Sequence, residues 1–455
     1  MAGQTVFIGC GAGFAGDRTD AAGPVVETLA QCDGPRFLMF ETLAERTLAL
    51  AQLERRADPS RGYNPALERF VGPILKRCLA ERIRIVSNFG AANPRAAAAR
   101  IASLAREQGI KPPRIAVIEG DDLTGLLSPG ELAARETGGQ LLASNPPLIS
   151  ANLYLGAHAI ADALDRGADI VITGRVADSA LALGPLIHVF KWKRDDWDRL
   201  AAGTLAGHLL ECGAQITGGY FADPGTKDVP ALADVGYPIA EVASDGSVVV
   251  TKAKSTGGMV DRSTAIEQLL YEIHDPAAYL APDVVLDLTD VEVEQAGQDR
   301  VRVTGARGKP APATLKATVC VDGGVLGEAE ISYAGPNASG RARLAAEVVA
   351  ARMQKRAPHL PFRTDAIGAV SVLGSTGHNP TLPEAAPDIR LRFAARGDTA
   401  ADVETLLDEV EGLYCAGPAG GAGVRRRITP RVASASCLVE REYARERVTM
   451  IESGS

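Results

Sequence analysis

Val6-Phe7-Ile8-Gly9-Cys10-Gly11-Ala12-Gly13-Phe14-Ala15-Gly16-Asp17-Arg18 reads as a short apolar strand running into a glycine loop ahead of a helix. Gly11, Gly13 and Gly16 satisfy G-x-G-x-x-G. Glycines permit a tight turn and close approach of backbone to phosphate, and a helix amino end adds N–H groups and positive dipole. Gly9, Gly11, Gly13 and Gly16, with the polar Asp17 and Arg18, are therefore candidates for holding a phosphate or another anion. A close-packed strand-to-helix turn would need the same glycines. Glu41 closes the next apolar run, Phe37 to Phe40, where a dinucleotide-binding fold places its ribose ligand.

Outward from this stretch, the first half keeps alternating. Ile83 to Val86, Ile115 to Ile118 and Ile170 to Ile172 are further apolar, β-branched runs. Helical spacing fills Thr19–Ala30, Leu43–Arg56, Pro65–Ala80, Pro94–Gln108 and Tyr154–Arg166 between them. Such repetition predicts a parallel sheet covered by helices on both faces, with the loops after the strands along one edge. Beyond about residue 215 the pattern turns to alternating strands, including a hairpin around Asp245-Gly246. The expectation is an α/β chain: a Rossmann-like parallel-sheet domain over 1–220, then a smaller α+β domain over 221–455.

Composition bounds the partners. The 455 residues are 46% hydrophobic and 23% charged, enough apolar material for a full core. Lys+Arg 48 against Asp+Glu 56 gives a net charge of −8, which excludes the global footprint of a nucleic-acid or anionic-membrane binder. The basic Arg425-Arg426-Arg427 run reads as a solvated turn. Leu181 to Phe190 is broken by Gly184, Pro185 and His188, so no membrane span is expected. No basic residue precedes Arg18, so no secretory signal is expected either. Seven cysteines without a C-x-x-C argue against a disulfide framework or a structural zinc, and for a cytoplasmic chain with reduced thiols.

Strand ends carry the remaining chemistry. Ser87-Asn88 with Asn93-Pro94, Glu119-Gly120-Asp121-Asp122, and Thr173-Gly174-Arg175 with Asp178 would converge with the glycine loop on one cleft. Asn93, Asp121, Asp122 or Asp178 could equally cap a helix. Asp121-Asp122 with Glu119 could hold a divalent metal, although adjacent residues rarely ligate one ion together. Arg175 suits a carboxylate or phosphate. On a helix His208 and Glu211 share a face, so the carboxylate could orient the imidazole for proton transfer, or the pair could be structural; Cys212 lies beside them. Ser255-Thr256-Gly257-Gly258 is another possible anion loop. His158, His188, His359 and His378 have no metal-ligand partner at useful spacing.

Taken in order, Ile8 to Arg18, Glu41-Thr42-Leu43-Ala44-Glu45-Arg46-Thr47, Gly62-Tyr63, Ser87-Asn88 with Ala92-Asn93-Pro94, Glu119 to Asp122, and Ile172 to Arg175 with Asp178 resemble the acyclic terpene utilisation (AtuA) family. His208 to Asp223, Ser255 to Gly258, and Glu267 to Pro276 continue the resemblance, which spans roughly residues 5–440. The family takes its name from gene clusters that break down branched terpenoids such as citronellol and geraniol as acyl-CoA thioesters. Some members carry an added carboxy-terminal domain, and this chain, ending soon after the matching run, is expected to lack one. The resemblance implies a metabolic role near branched carboxylic acids or their CoA esters and assigns no residue a role.

The residues themselves point to addition, elimination or isomerisation next to an activated carbonyl, the work of a lyase, hydratase or isomerase. Asp121 or His208 would move the proton, with Glu211 orienting the latter. Asn88 and Asn93 would donate to a developing enolate oxygen, and Arg175 with the Gly9–Gly16 loop would hold phosphate or carboxylate. Two other readings stay open: an NAD(P)-dependent oxidoreductase built on Gly11, Gly13, Gly16 and Glu41, and a non-catalytic subunit of a catabolic assembly. The sequence leaves the cofactor open: a CoA thioester as substrate stands ahead of NAD(P) or a divalent metal. The expected partners are a small-molecule substrate and further copies of the chain in a homo-oligomer.

Overall fold

The computed structural model describes residues 4–368 and 386–451; His378 lies outside them. All five apolar runs form strands: β1 (Thr5–Ala12), β2 (Arg36–Phe40), β3 (Arg84–Ser87), β4 (Ile115–Glu119) and β5 (Ile170–Thr173). They are parallel neighbours in the order 1-2-3-5-4. Right-handed crossovers that advance from β1 to β4 put their helices on one face, and the step back to β5 puts its helix on the other. Accordingly α1 (Ala22–Leu29) and α2 (Pro94–Glu107) bury Val25, Leu29, Ala97 and Ile101 in one core with Leu38, Ile85, Val117 and Ile172. Phe40, Phe70 and Phe89 pack together there with ring centroids 5.0–6.1 Å apart. The β4–β5 connection, α3 (His158–Asp165), packs instead against α4 (Ala180–Phe190), followed by α5 (Trp197–Glu211).

The expected second domain does not begin at 221. β6 (Pro238–Ala243) and β7 (Val248–Lys252) form the hairpin read around Asp245, and β6 pairs antiparallel with β1, from Thr5↔Ala243 to Gly9↔Ile239. β8 (Glu292–Gly297) and β9 (Arg300–Thr304) extend that side, and strand Arg447–Ile451 closes the other by pairing with β4. The result is one mixed sheet, β8-β9-β7-β6-β1-β2-β3-β5-β4 with Arg447–Ile451. A dinucleotide-binding sheet reverses its strand order beside β1; here β1 has β2 on one side and an antiparallel hairpin on the other. The physical reason is the open edge of β1, whose backbone groups need a ladder partner.

The chain divides into two compact units, Met1–Cys320 with Ser434–Ser455, and Val321–Ala433. The second holds β11 (Phe362–Ile367) and β12 (Asp388–Gly397), which line up with β10 (Thr314–Ala334) and β13 (Ala422–Glu440) in the order 11-12-10-13. Alternation along β12 turns Ile389, Leu391 and Phe393 toward helices Ala338–Arg356 and Ala400–Glu411. Arg392, on the opposite face, bonds Glu328 and Asp365 at 2.5 and 2.8 Å. No helix among the described residues is long and apolar enough to cross a membrane.

Candidate functional site

Beyond the carboxyl ends of β1, β2 and β5 lies a cleft of about 1220 Å³, closed on one side by the end of α5. Of the residues singled out from sequence, Gly13, Asp17, Arg175, Asp178, His208, Glu211 and Cys212 line it; Gly9, Gly11, Gly16, Arg18, Asn88, Asn93 and Asp121 do not. Glu41 lines it as well.

The glycine loop is filled by the protein itself. A Cβ on Gly11 would meet the Phe40 ring at 2.5 Å, and one on Gly13 would meet the Cys212 carbonyl carbon at 2.4 Å. Gly9 and Gly11 are still in β1, and α1 starts only at Ala22, well past Gly16. The Asp17 carboxylate accepts the Gly13 N–H at 2.7 Å and the Arg18 N–H at 2.8 Å, and also the Tyr237 hydroxyl. A carboxylate already occupies the place that an incoming anion would take. Arg18 turns away to Asp20, with contacts of 3.0 and 2.9 Å. The phosphate-cradle expectation is corrected here: close packing dictates these glycines. The Ser255–Gly258 stretch is likewise packed, with a Cβ on Gly257 only 2.0 Å from the Ala231 carbonyl oxygen.

Arg175 is almost fully buried. Its Nε donates to the Val176 carbonyl at 2.8 Å, Nη2 to the same oxygen at 2.6 Å and to Asp178, and Nη1 to the Leu43 carbonyl. Four of the five guanidinium N–H groups are thus spent inside the protein. Its Cζ lies 4.4 Å from the centroid of the Tyr154 ring. Arg175 braces the cleft wall and has little left to clamp a substrate anion.

Asp121 takes two donors on Oδ2, the Asn152 amide at 2.8 Å and the Arg175 backbone N–H at 3.0 Å. Burial raises its carboxyl to about pKa 6, but it is sealed from the cleft, so it anchors the turn that carries Arg175. The metal grouping also dissolves: Glu119 pairs with Arg95 and Arg447, while Asp122 accepts the Thr124 N–H. Asn93 caps α2 through the Ala96 N–H and donates to the carbonyls of Pro59 and Arg61. It therefore has no amide hydrogen left for an enolate. No cluster of three or more metal-ligating side chains occurs among the described residues.

His208 is buried, with Nε2 3.2 Å from the Leu269 carbonyl and Nδ1 2.9 Å from Glu211 Oε1. Both partners accept, so both ring nitrogens must donate and the imidazole is held as a cation. Burial lowers its pKa, but the bond and charge of Glu211 outweigh that and leave it raised. With no free nitrogen, His208 cannot take a substrate proton in this arrangement; it fixes the position of Glu211 on the cleft wall. Burial first, then the Glu211 charge, raises the Cys212 thiol to about 12, far from a thiolate at neutral pH.

Glu41 is the group best placed for proton chemistry. Burial raises its carboxyl to about 7, opposed by Arg175 and by bonds from the Leu43 N–H at 2.8 Å and the Asn88 amide at 2.9 Å. Both donors reach Oε1. Register places the group: β2 and β3 pair at Phe40↔Ser87, so Glu41 and Asn88 follow side by side. The sequence signal was present, an acidic residue directly after an apolar strand, but it pointed to a ribose. Tyr154, whose hydroxyl donates to Glu45 at 2.7 Å, and Lys316, 4.6 Å from the Tyr154 ring, escaped sequence reading. Strand Leu148–Leu153 pairs with β10 and brings them together from distant parts of the chain. Tyr237, Tyr271 and Tyr279 add an aromatic wall.

A family model described as "Acyclic terpene utilisation family protein AtuA" matches residues 6–450. No curated protein and no solved structure matches the chain.

Proposed function

Because the chain belongs to the acyclic terpene utilisation family, we propose that it is a metabolic enzyme of branched carboxylic-acid or acyl-CoA catabolism. In this reading it moves a proton next to an activated carbonyl, as a lyase, hydratase or isomerase. The observation that carries the proposal is Glu41, a buried carboxyl on the cleft wall poised at about pKa 7. A group with that value is part acid and part base at neutral pH, which suits it to both directions of proton transfer. Glu211, held by His208, lines the same cleft and raises Glu41 further. Tyrosine side chains and the mainly carbon surfaces of Leu43, Leu280 and Leu315 suit a branched apolar substrate.

Seven free cysteines support a reducing, cytoplasmic setting, and a small molecule fits the cleft; self-association into a homo-oligomer belongs to the same reading. The nicotinamide alternative loses support from the packed glycines and from Asp17 in the anion position. The test is turnover of branched acyl-CoAs and their free acids by wild type and Glu41→Gln. The proposal expects a loss of about 10²–10⁴-fold in kcat with folding retained; unchanged turnover would overturn it.

A further inference from the structure

Asn88 is fully buried and absent from the cleft lining, yet it touches the one carboxyl that the proposed chemistry depends on. Its amide orientation is forced. The Thr42 N–H, 2.8 Å away, can only donate, so the atom facing it is Oδ1, which also lies 3.3 Å from the Thr42 hydroxyl. The Nδ2 group is then left to donate to Glu41 Oε1 at 2.9 Å, beside the Leu43 N–H at 2.8 Å. Two N–H donors use both lone pairs of Oε1. Oε2 has no hydrogen-bond partner among the described residues, and it is not among their buried unpartnered side-chain atoms, so it keeps surface open to the cleft that Glu41 lines.

We propose that Asn88 is a positioning residue that fixes the transferable proton of Glu41 on Oε2, the oxygen open to the cleft. The inference rests on the reading of Glu41 as the acid–base group and assigns the step one oxygen. Asn88 does not meet the substrate; it acts through Glu41. Among the described residues, the charged or titratable groups that interact with Glu41 include Arg175 at the end of β5, Glu211 and Cys212 at the end of α5, and Cys10 on β1. None of them donates a hydrogen bond to Oε1 or Oε2.

Asn88→Asp is the decisive variant. It is isosteric and keeps an acceptor for the Thr42 N–H, but it turns an oxygen instead of an N–H toward Glu41. Two facing carboxyls must then share a proton, which raises the midpoint of the pair. The readout is the carbonyl stretch of the protonated carboxyl in infrared difference spectra across pH, each protein being compared with its Glu41→Gln counterpart. Wild type should lose the Glu41 band near pH 7, and Asn88→Asp should lose it about one unit higher or more. Asn88→Ser, which drops the donor without adding a charge, should shift the midpoint the same way by less, and it serves if Asn88→Asp folds poorly. An unmoved midpoint in a folded variant overturns the assignment to Asn88 even if Glu41→Gln abolishes turnover. Turnover retained in Glu41→Gln would instead sink the acid–base reading while leaving a midpoint shift in place.

Discussion

Burial lifts Glu41 from the usual 4.5 to about 7, and the same shift acts on stability. A carboxyl whose pKa is higher folded than unfolded contributes fully below pH 4.5, and the folded state loses that contribution as pH rises through 7. The difference amounts to about 3 kcal/mol above pH 7. Glu41→Gln, neutral at every pH, should therefore raise Tm at pH 8 and give no such gain near pH 4, which thermal unfolding at the two pH values checks. A gain at pH 8 together with lost turnover is the trade expected of an active-site carboxyl held in an unfavourable environment. Sequence alone made Glu41, Asn88 and Arg175 legible as polar groups at strand ends. What it hid was direction: Arg175 turns inward to the Val176 and Leu43 carbonyls, and Asp17 turns back onto its own loop.

At the level of elements, α5 is fastened to helix Arg262–Leu270 by the His208 imidazolium, between Glu211 and the Leu269 carbonyl, and by the Gln268 amide, which donates to the His208 carbonyl at 2.9 Å. The folded His208 pKa lies above its usual 6.5. Its contribution is therefore complete below pH 6.5 and fades as pH climbs through the raised folded value. His208→Ala leaves Glu211 without its counter-charge and should cost about 3 kcal/mol at pH 6, and less at pH 9. Urea denaturation at both pH values measures this, and His208→Ala/Glu211→Gln should recover part of the loss. The glycine loop makes a separate prediction. Gly13→Ala drives a methyl into the Cys212 backbone and should cost about 1–3 kcal/mol of stability, seen as a lower denaturation midpoint. A phosphate-binding role would instead show as lost nucleotide affinity at unchanged stability. The glycine pattern was readable; its cause was not, because Cys212 approaches from the far end of α5.

Across the whole molecule, the ten-stranded sheet depends on segments far apart in the chain. β1 needs β6, and β4 needs Arg447–Ile451. The five parallel strands and the β6–β7 hairpin follow from apolar runs and Asp245-Gly246, but nothing local in 237–252 says which edge the hairpin will join. Single-sequence patterning sees elements and not long-range partners, so a domain break was expected where the sheet in fact continues. Truncating the chain before Arg447 would bare the β4 edge, and an unpaired edge invites association. Such a variant should show a lower Tm and concentration-dependent aggregation by light scattering, whereas unchanged behaviour would deny that strand its structural role.

The central claim is that Glu41 moves a proton next to a carbonyl, and hydrogen exchange tests it most directly. Branched acyl-CoAs incubated with the protein in D₂O, followed by mass spectrometry, report any deuterium taken up at carbon. The account predicts uptake with wild type and loss of at least about 10²-fold in rate with Glu41→Gln. Uptake at the same rate in both proteins, or none from any branched acyl-CoA with wild type, would contradict it.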